Sequence, residues 1–115
     1  MIIVEGTIKV RNLNAAKKHM RDMICASRDE DGCIDYAYAA DLIDPSLIRV
    51  IERWESREAL NRHLQSDHIA KWREVWPQIG IFDRSLRLYE AEPEPELFQN
   101  KSLLVRLLEN QAPVI

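Results

Sequence analysis

The chain has 115 residues, 46% of them hydrophobic and 30% charged, with a formal net charge of −3. Its size fits one globular domain with a modest core, and its interspersed charges leave no basic patch of the kind nucleic-acid binding needs. The apolar runs are too short to cross a bilayer, and the opening MIIVEG has neither a cationic n-region nor a small-residue cleavage site, so no signal peptide is expected.

IIVEGTIKV (2–10) alternates with the period of a strand. Ile2, Val4, Gly6, Ile8 and Val10 fall on one face. Asn14 is the expected helix cap. From Ala15 to about Arg28 the period turns helical, with Ala16, Met20, Met23, Ile24 and Ser27 inward. DEDG closes that helix, with Gly32 as the left-handed residue.

CIDYAYAADL (33–42) is the second strand, with Ile34, Tyr36, Tyr38 and Ala40 on one face. After the turn IDPS, LIRVIERWE (47–55) is the third. It sets Ile48, Val50, Glu52 and Trp54 on one side, and it should pair with the second strand as an antiparallel hairpin. Ser56 opens a helix of about two turns. Ser66 caps another, DHIAKWREVW, and Pro77 is expected to stop it. IFDRSLRLYEAE (81–92) is the last strand.

The order β-α-β-β-α-β is that of the split βαβ, ferredoxin-like unit. An α+β fold follows, with a four-stranded antiparallel sheet and the helices on one face. The other face mixes apolar and charged side chains, which predicts a sheet-to-sheet homodimer with two-fold symmetry. Residues 1–92 form the domain and 93–115 a C-terminal extension. In that extension a proline-rich linker leads to KSLLVRLLEN (101–110), an amphipathic helix with Leu103, Leu104, Leu107 and Leu108 on one stripe. So short a helix must dock, either on its own chain or across on a partner protomer. Cys25 and Cys33 form no C-x-x-C pair and are expected as free thiols in a reducing, cytoplasmic compartment. Cys33 is read as a small buried apolar residue rather than a redox group.

Three stretches carry a resemblance: GCIDYAY, IERWES and ALNRHLQSDHIAKW. With the first strand they cover about residues 1–90, and at these spacings the chain resembles the antibiotic biosynthesis monooxygenase (ABM) family of dimeric α/β barrels. That family includes cofactor-independent monooxygenases of quinols and polyketide aromatics, haem-degrading enzymes and proteins of unknown activity. The resemblance implies a pocket between sheet and helices. It points to His63, His68 and Trp72 from the helices, and Trp54, Tyr36 and Tyr38 from the strands. The haem-degrading members carry an Asn in the first strand and a Trp and a His in the helical region. Those positions fall here on Gly6, His63 and Arg73, so haem degradation is not expected.

A metal site is not expected either. His63 and His68 are five residues apart, which on a continuous helix turns them about 140° from each other, and no neighbouring carboxylates or cysteines complete a ligand set. His68 is instead a candidate general base. It sits in the first turn of a helix whose positive end favours neutral imidazole, and it shares a face with Trp72 four residues on. The competing reading is a core histidine hydrogen-bonded to Glu52, Tyr36 or a carbonyl. Trp54, Trp72 and Trp76 are most often simple core at these spacings, and Trp76 and Ile79 in particular read as packing. Arg49, Arg53 and Arg73 are expected in solvated or inter-protomer ion pairs. Glu52 shares a face with Val50 and Trp54 and needs a polar partner.

Two functions follow. The first is a monooxygenase of a quinol-like or phenolic small molecule, using O2 and no cofactor. His68 acts as base and His63 orients, while Trp72, Trp54, Tyr36, Tyr38 and Glu52 shape the pocket. The second is a non-catalytic small-ligand-binding or stress-related dimer on the same fold. Isomerase or lyase chemistry on a small carbonyl compound would use the same base.

Overall fold

A computed structural model of the chain describes residues 1–96 and 101–110. The elements are β1 (Ile2–Val10), α1 (Leu13–Arg28), β2 (Cys33–Ala40), β3 (Leu47–Trp54), α2 (Arg57–Leu64), α3 (Asp67–Ile79), β4 (Ile81–Glu90) and α4 (Lys101–Asn110). The strands form one antiparallel sheet in the order β2-β3-β1-β4. This is the ferredoxin-like α+β architecture expected from the pattern.

Alternation becomes a core through register. Ile2 lies opposite Trp54, Val4 opposite Glu52 and Ile8 opposite Ile48. The inward residues of β1 and β3 therefore make one continuous floor. Ala16, Met20 and Met23 of α1 pack on it, with Ala59 and Leu60 of α2 and Ile69, Trp72 and Ile79 of α3. The far face carries Ile3, Glu5, Thr7 and Lys9 beside Leu47, Arg49, Ile51 and Arg53, apolar and charged in turn.

Local details depart from the expected ones. Asn12, not Asn14, caps α1, its side-chain oxygen accepting from the Ala15 N–H at 3.0 Å. Pro77 lies inside α3 instead of ending it. The proline removes one helical donor close to the C-terminus, and the helix closes at Gly80, whose left-handed φ of +71° lets its N–H reach the Trp76 carbonyl. In β2 the pairing jumps from Cys33–Trp54 to Asp35–Arg53, so Ile34 is a bulged residue and is 46% exposed. Cys33 packs against the core in its place, while Tyr36 and Tyr38 keep the inward face. β4 ends at Glu90. α4 occupies the span expected of the tail helix, with Leu107 and Leu108 exposed. The side chains of Leu103 and Leu104 lie outside the described residues.

Candidate functional site

The site is built where two helices meet end to end. Ser56 caps α2 by accepting from the Ala59 N–H. α2 ends at Leu64, and Ser66 both donates to the His63 carbonyl at 2.6 Å and accepts from the Ile69 N–H to start α3. This break redirects the chain. His63 and His68, which a continuous helix would point apart, have ring centroids 5.8 Å from each other. Both premises against a shared site fail. The angle does not apply, and the missing carboxylate is present as Glu30, brought in by the turn after α1.

Glu30 Oε1 joins the two rings. His63 Nδ1 lies 2.9 Å from it, and His68 Nε2 is in ion-pair contact with the same oxygen, off the line that a hydrogen bond needs. The other nitrogen of His63, Nε2, faces Glu52 Oε1 at 3.8 Å. Glu52 in turn accepts from Trp54 Nε1 at 3.0 Å. A polar chain therefore runs from the sheet floor to the helix surface: Trp54, Glu52, His63, Glu30, His68. Burial raises the Glu52 carboxyl to about 7; the Trp54 bond opposes that rise and the nearby Glu30 charge adds to it. Burial likewise holds His63 below its ordinary value, against the pull of Glu30. Below about pH 7 a neutral ring beside a protonated Glu52 is a coherent state, since neither group then carries an uncompensated buried charge.

The aromatic residues divide into packing and lining. Trp54 is 0% exposed and sits 4.6 Å, centroid to centroid, from His63. Tyr36 is equally enclosed, and burial pushes its hydroxyl well above the ordinary value. Trp54, Tyr36 and Glu52 thus have almost no surface to offer a ligand. All three, expected in the pocket lining, are buried beside or beneath His63. Tyr38 stacks on Tyr36 at 5.7 Å and meets Trp72 edge-on at 6.2 Å; burial pushes its hydroxyl up to about 12.

Trp72 is the wall shared by two clefts. One, of about 430 Å³, runs between α1 and α3, with His68 and Trp72 alongside Met23, Ala26 and Val75. The other, of about 550 Å³, lies between α3 and the sheet and is lined by Ile8, Tyr38, Trp72, Arg73, Trp76, Arg84 and Leu86. Trp76 is therefore more than packing. Arg84 lies 4.5 Å over its ring, and its buried Nε1 has no hydrogen-bond partner among the described residues. Arg49 and Arg53 pair within the chain, with Asp41 and Asp35. Arg73 and Arg84 make no salt bridge among the described residues. Glu30 and Arg84 are the residues that sequence reasoning missed, and neither has a local signal.

Gly6 sits where β1 and β4 approach closely. Its φ is +151°, and a Cβ there would sit 1.8 Å from the Ser85 carbonyl oxygen of β4. No side chain fits in this position without moving β4.

Comparison with known proteins agrees with this fold. The sequence profile described as antibiotic biosynthesis monooxygenase matches residues 1–75. An uncharacterized Synechocystis protein, sll1783, is 29% identical over 94 residues; these are 77% of this chain and 62% of that protein, so the chain spans less than two thirds of that relative's length. Among solved structures, a provisionally named antibiotic biosynthesis monooxygenase from Deinococcus radiodurans superposes with a TM-score of 0.74 at 26% identity, covering 84% of this chain and 97% of its own. Rv0793 from Mycobacterium tuberculosis gives 0.68 at 26% identity, covering 83% and 98%. A similarly named Nitrosomonas europaea protein gives 0.73 at 18% identity, covering 81% and 100%, and speaks to the fold alone.

Proposed function

Since this chain belongs to the antibiotic biosynthesis monooxygenase family, we propose that it oxidises a quinol-like or phenolic aromatic small molecule with O2 and without an organic cofactor. The observation that carries this reading is the juxtaposition of His68, backed by Glu30, with the flat wall of Trp72 in one cleft. The Glu30 carboxylate in ion-pair contact with Nε2 stabilises the imidazolium formed when the other nitrogen, Nδ1, takes a proton. His63 holds Glu30 from the far side. A phenol deprotonated against Trp72 becomes an electron-rich anion that can react with O2 directly. The substrate supplies the electrons, and the protein supplies base, orientation and a dry wall.

The test is oxygen uptake with a panel of hydroquinones and anthrones. His68→Ala should lower kcat on an active substrate by roughly 100-fold or more, the usual worth of a general base. Uptake at the wild-type rate in that variant removes His68 from the role. A second location has its own support: Arg73, Arg84 and the unpartnered Trp76 Nε1 suit an anionic aromatic in the sheet-side cleft. In that case Arg84→Ala raises KM while His68→Ala does not change kcat. The enclosed packing of Trp54, Tyr36 and His63 favours the non-catalytic binding reading, which predicts no uptake with any of the panel.

The mixed outer face of the sheet supports a homodimer, and the two free thiols support a reducing, cytoplasmic setting. No helix among the described residues is long and apolar enough to cross a membrane.

A further inference from the structure

We propose that Glu30, His63 and His68 form a binding site for one divalent transition-metal ion of the Zn²⁺, Co²⁺ or Ni²⁺ kind. One ligand atom from each residue lies within 4.8 Å of the others, so small side-chain rotations would bring them to the separation of roughly 3.4 Å that tetrahedral donors about 2.1 Å from a common centre require. Two imidazoles and one carboxylate are borderline donors that suit these ions rather than Mg²⁺ or Ca²⁺, which prefer all-oxygen sets.

Three further observations separate this from a chance cluster. His63 presents Nδ1 to Glu30, and its remote Nε2 faces Glu52. Metal-binding histidines characteristically direct the second nitrogen to a carboxylate. Glu52 is fixed in that place by Trp54 Nε1. His68 Nε2, buried and without a hydrogen-bond partner, is the donor that lacks a role in the hydrogen-bond network. The cluster also has an entrance, because His68 lines the α1–α3 cleft and its side chain is 23% exposed. A three-ligand set opening on a cleft leaves a coordination position for water or a substrate oxygen.

The proposal concerns binding and does not depend on the oxygen chemistry above. It has one consequence for it. An ion on Nε2 leaves the remaining ring proton of His68 on Nδ1, so the loaded chain has no basic nitrogen there.

The experiment is titration of the chelator-treated full chain with Co²⁺ and Zn²⁺. One equivalent of Co²⁺ should be retained through gel filtration and give visible d–d absorption. One equivalent of Zn²⁺ should move the imidazole NMR resonances of His63 and His68 in the wild type, a readout that needs no variant to fold. His68→Ala and Glu30→Gln should lose about 100-fold or more in affinity, and Glu52→Gln about tenfold, as for other groups that orient a ligand. His19→Ala, which alters another histidine of the same cleft, should bind as the wild type does. Failure of the wild type to retain an equivalent, or resonance shifts confined to His19, overturns the site.

Discussion

Glu52→Gln tests the buried polar chain most directly. The carboxyl is raised from 4.5 to about 7, and each unit is worth about 1.4 kcal/mol, so ionising it costs about 3 kcal/mol more in the fold than in the unfolded chain. The side chain is only 7% exposed, so solvent screening does little to reduce this. The direction follows from proton counting. An acid whose value is raised by folding binds more protons folded than unfolded, so its contribution is intact below pH 4.5 and is lost as pH rises through about 7. Glutamine keeps the acceptor for Trp54 Nε1 and the shape of the side chain, but it cannot ionise. The stability of Glu52→Gln minus that of wild type should therefore rise by about 3 kcal/mol between pH 4.5 and pH 8. His63, held below its ordinary value, drives both proteins the opposite way, and the difference removes most of that effect. Urea unfolding followed by tryptophan fluorescence, with chelator present and protein concentration fixed, measures it. Parallel pH curves for the two proteins would refute the assignment of a neutral, desolvated Glu52.

Other expectations rest on single contacts. Gly6→Ala should destabilise by at least about 2 kcal/mol, because the new Cβ meets the Ser85 carbonyl and the backbone stays at an unfavourable φ; a midpoint shift in thermal melting checks it. Ser66→Ala removes the cap of α3 and the bond to the His63 carbonyl, at a cost of about 1 kcal/mol in denaturant, and should also weaken Co²⁺ retention by loosening the two histidines. Ile51→Glu places a charge opposite Glu5 on the outer face of the sheet. Sedimentation should show it shifted to monomer at concentrations where the wild type is a dimer, and an unchanged sedimentation coefficient would count against the sheet-to-sheet pairing.

Much of the fold was legible because its signals are local. The alternation in 2–10 and 47–54 and the tandem caps Ser56 and Ser66 each depend on a few neighbouring residues, and they yield strand, strand and a broken helix whatever the rest does. Where local signals compete, packing chooses between them. Two asparagines stood near the start of α1, and the one that captured the Ala15 N–H was Asn12. A bulge at Ile34 left no mark in the strand's composition. The candidate site was legible only as a list of residue types. That His63 and His68 share a centre depends on Glu30, 33 positions from His63 in the chain, which reaches them only after α1 has packed on the sheet. That Trp54 and Tyr36 lie behind the site, while Trp76 and Arg84 line a cleft, depends on the depth of each side chain beneath the helices and on the course of β4. By itself the sequence determined which faces are apolar, because periodicity is a property of one element. Which polar groups meet was decided by register and helix placement, which arise only when several elements pack together.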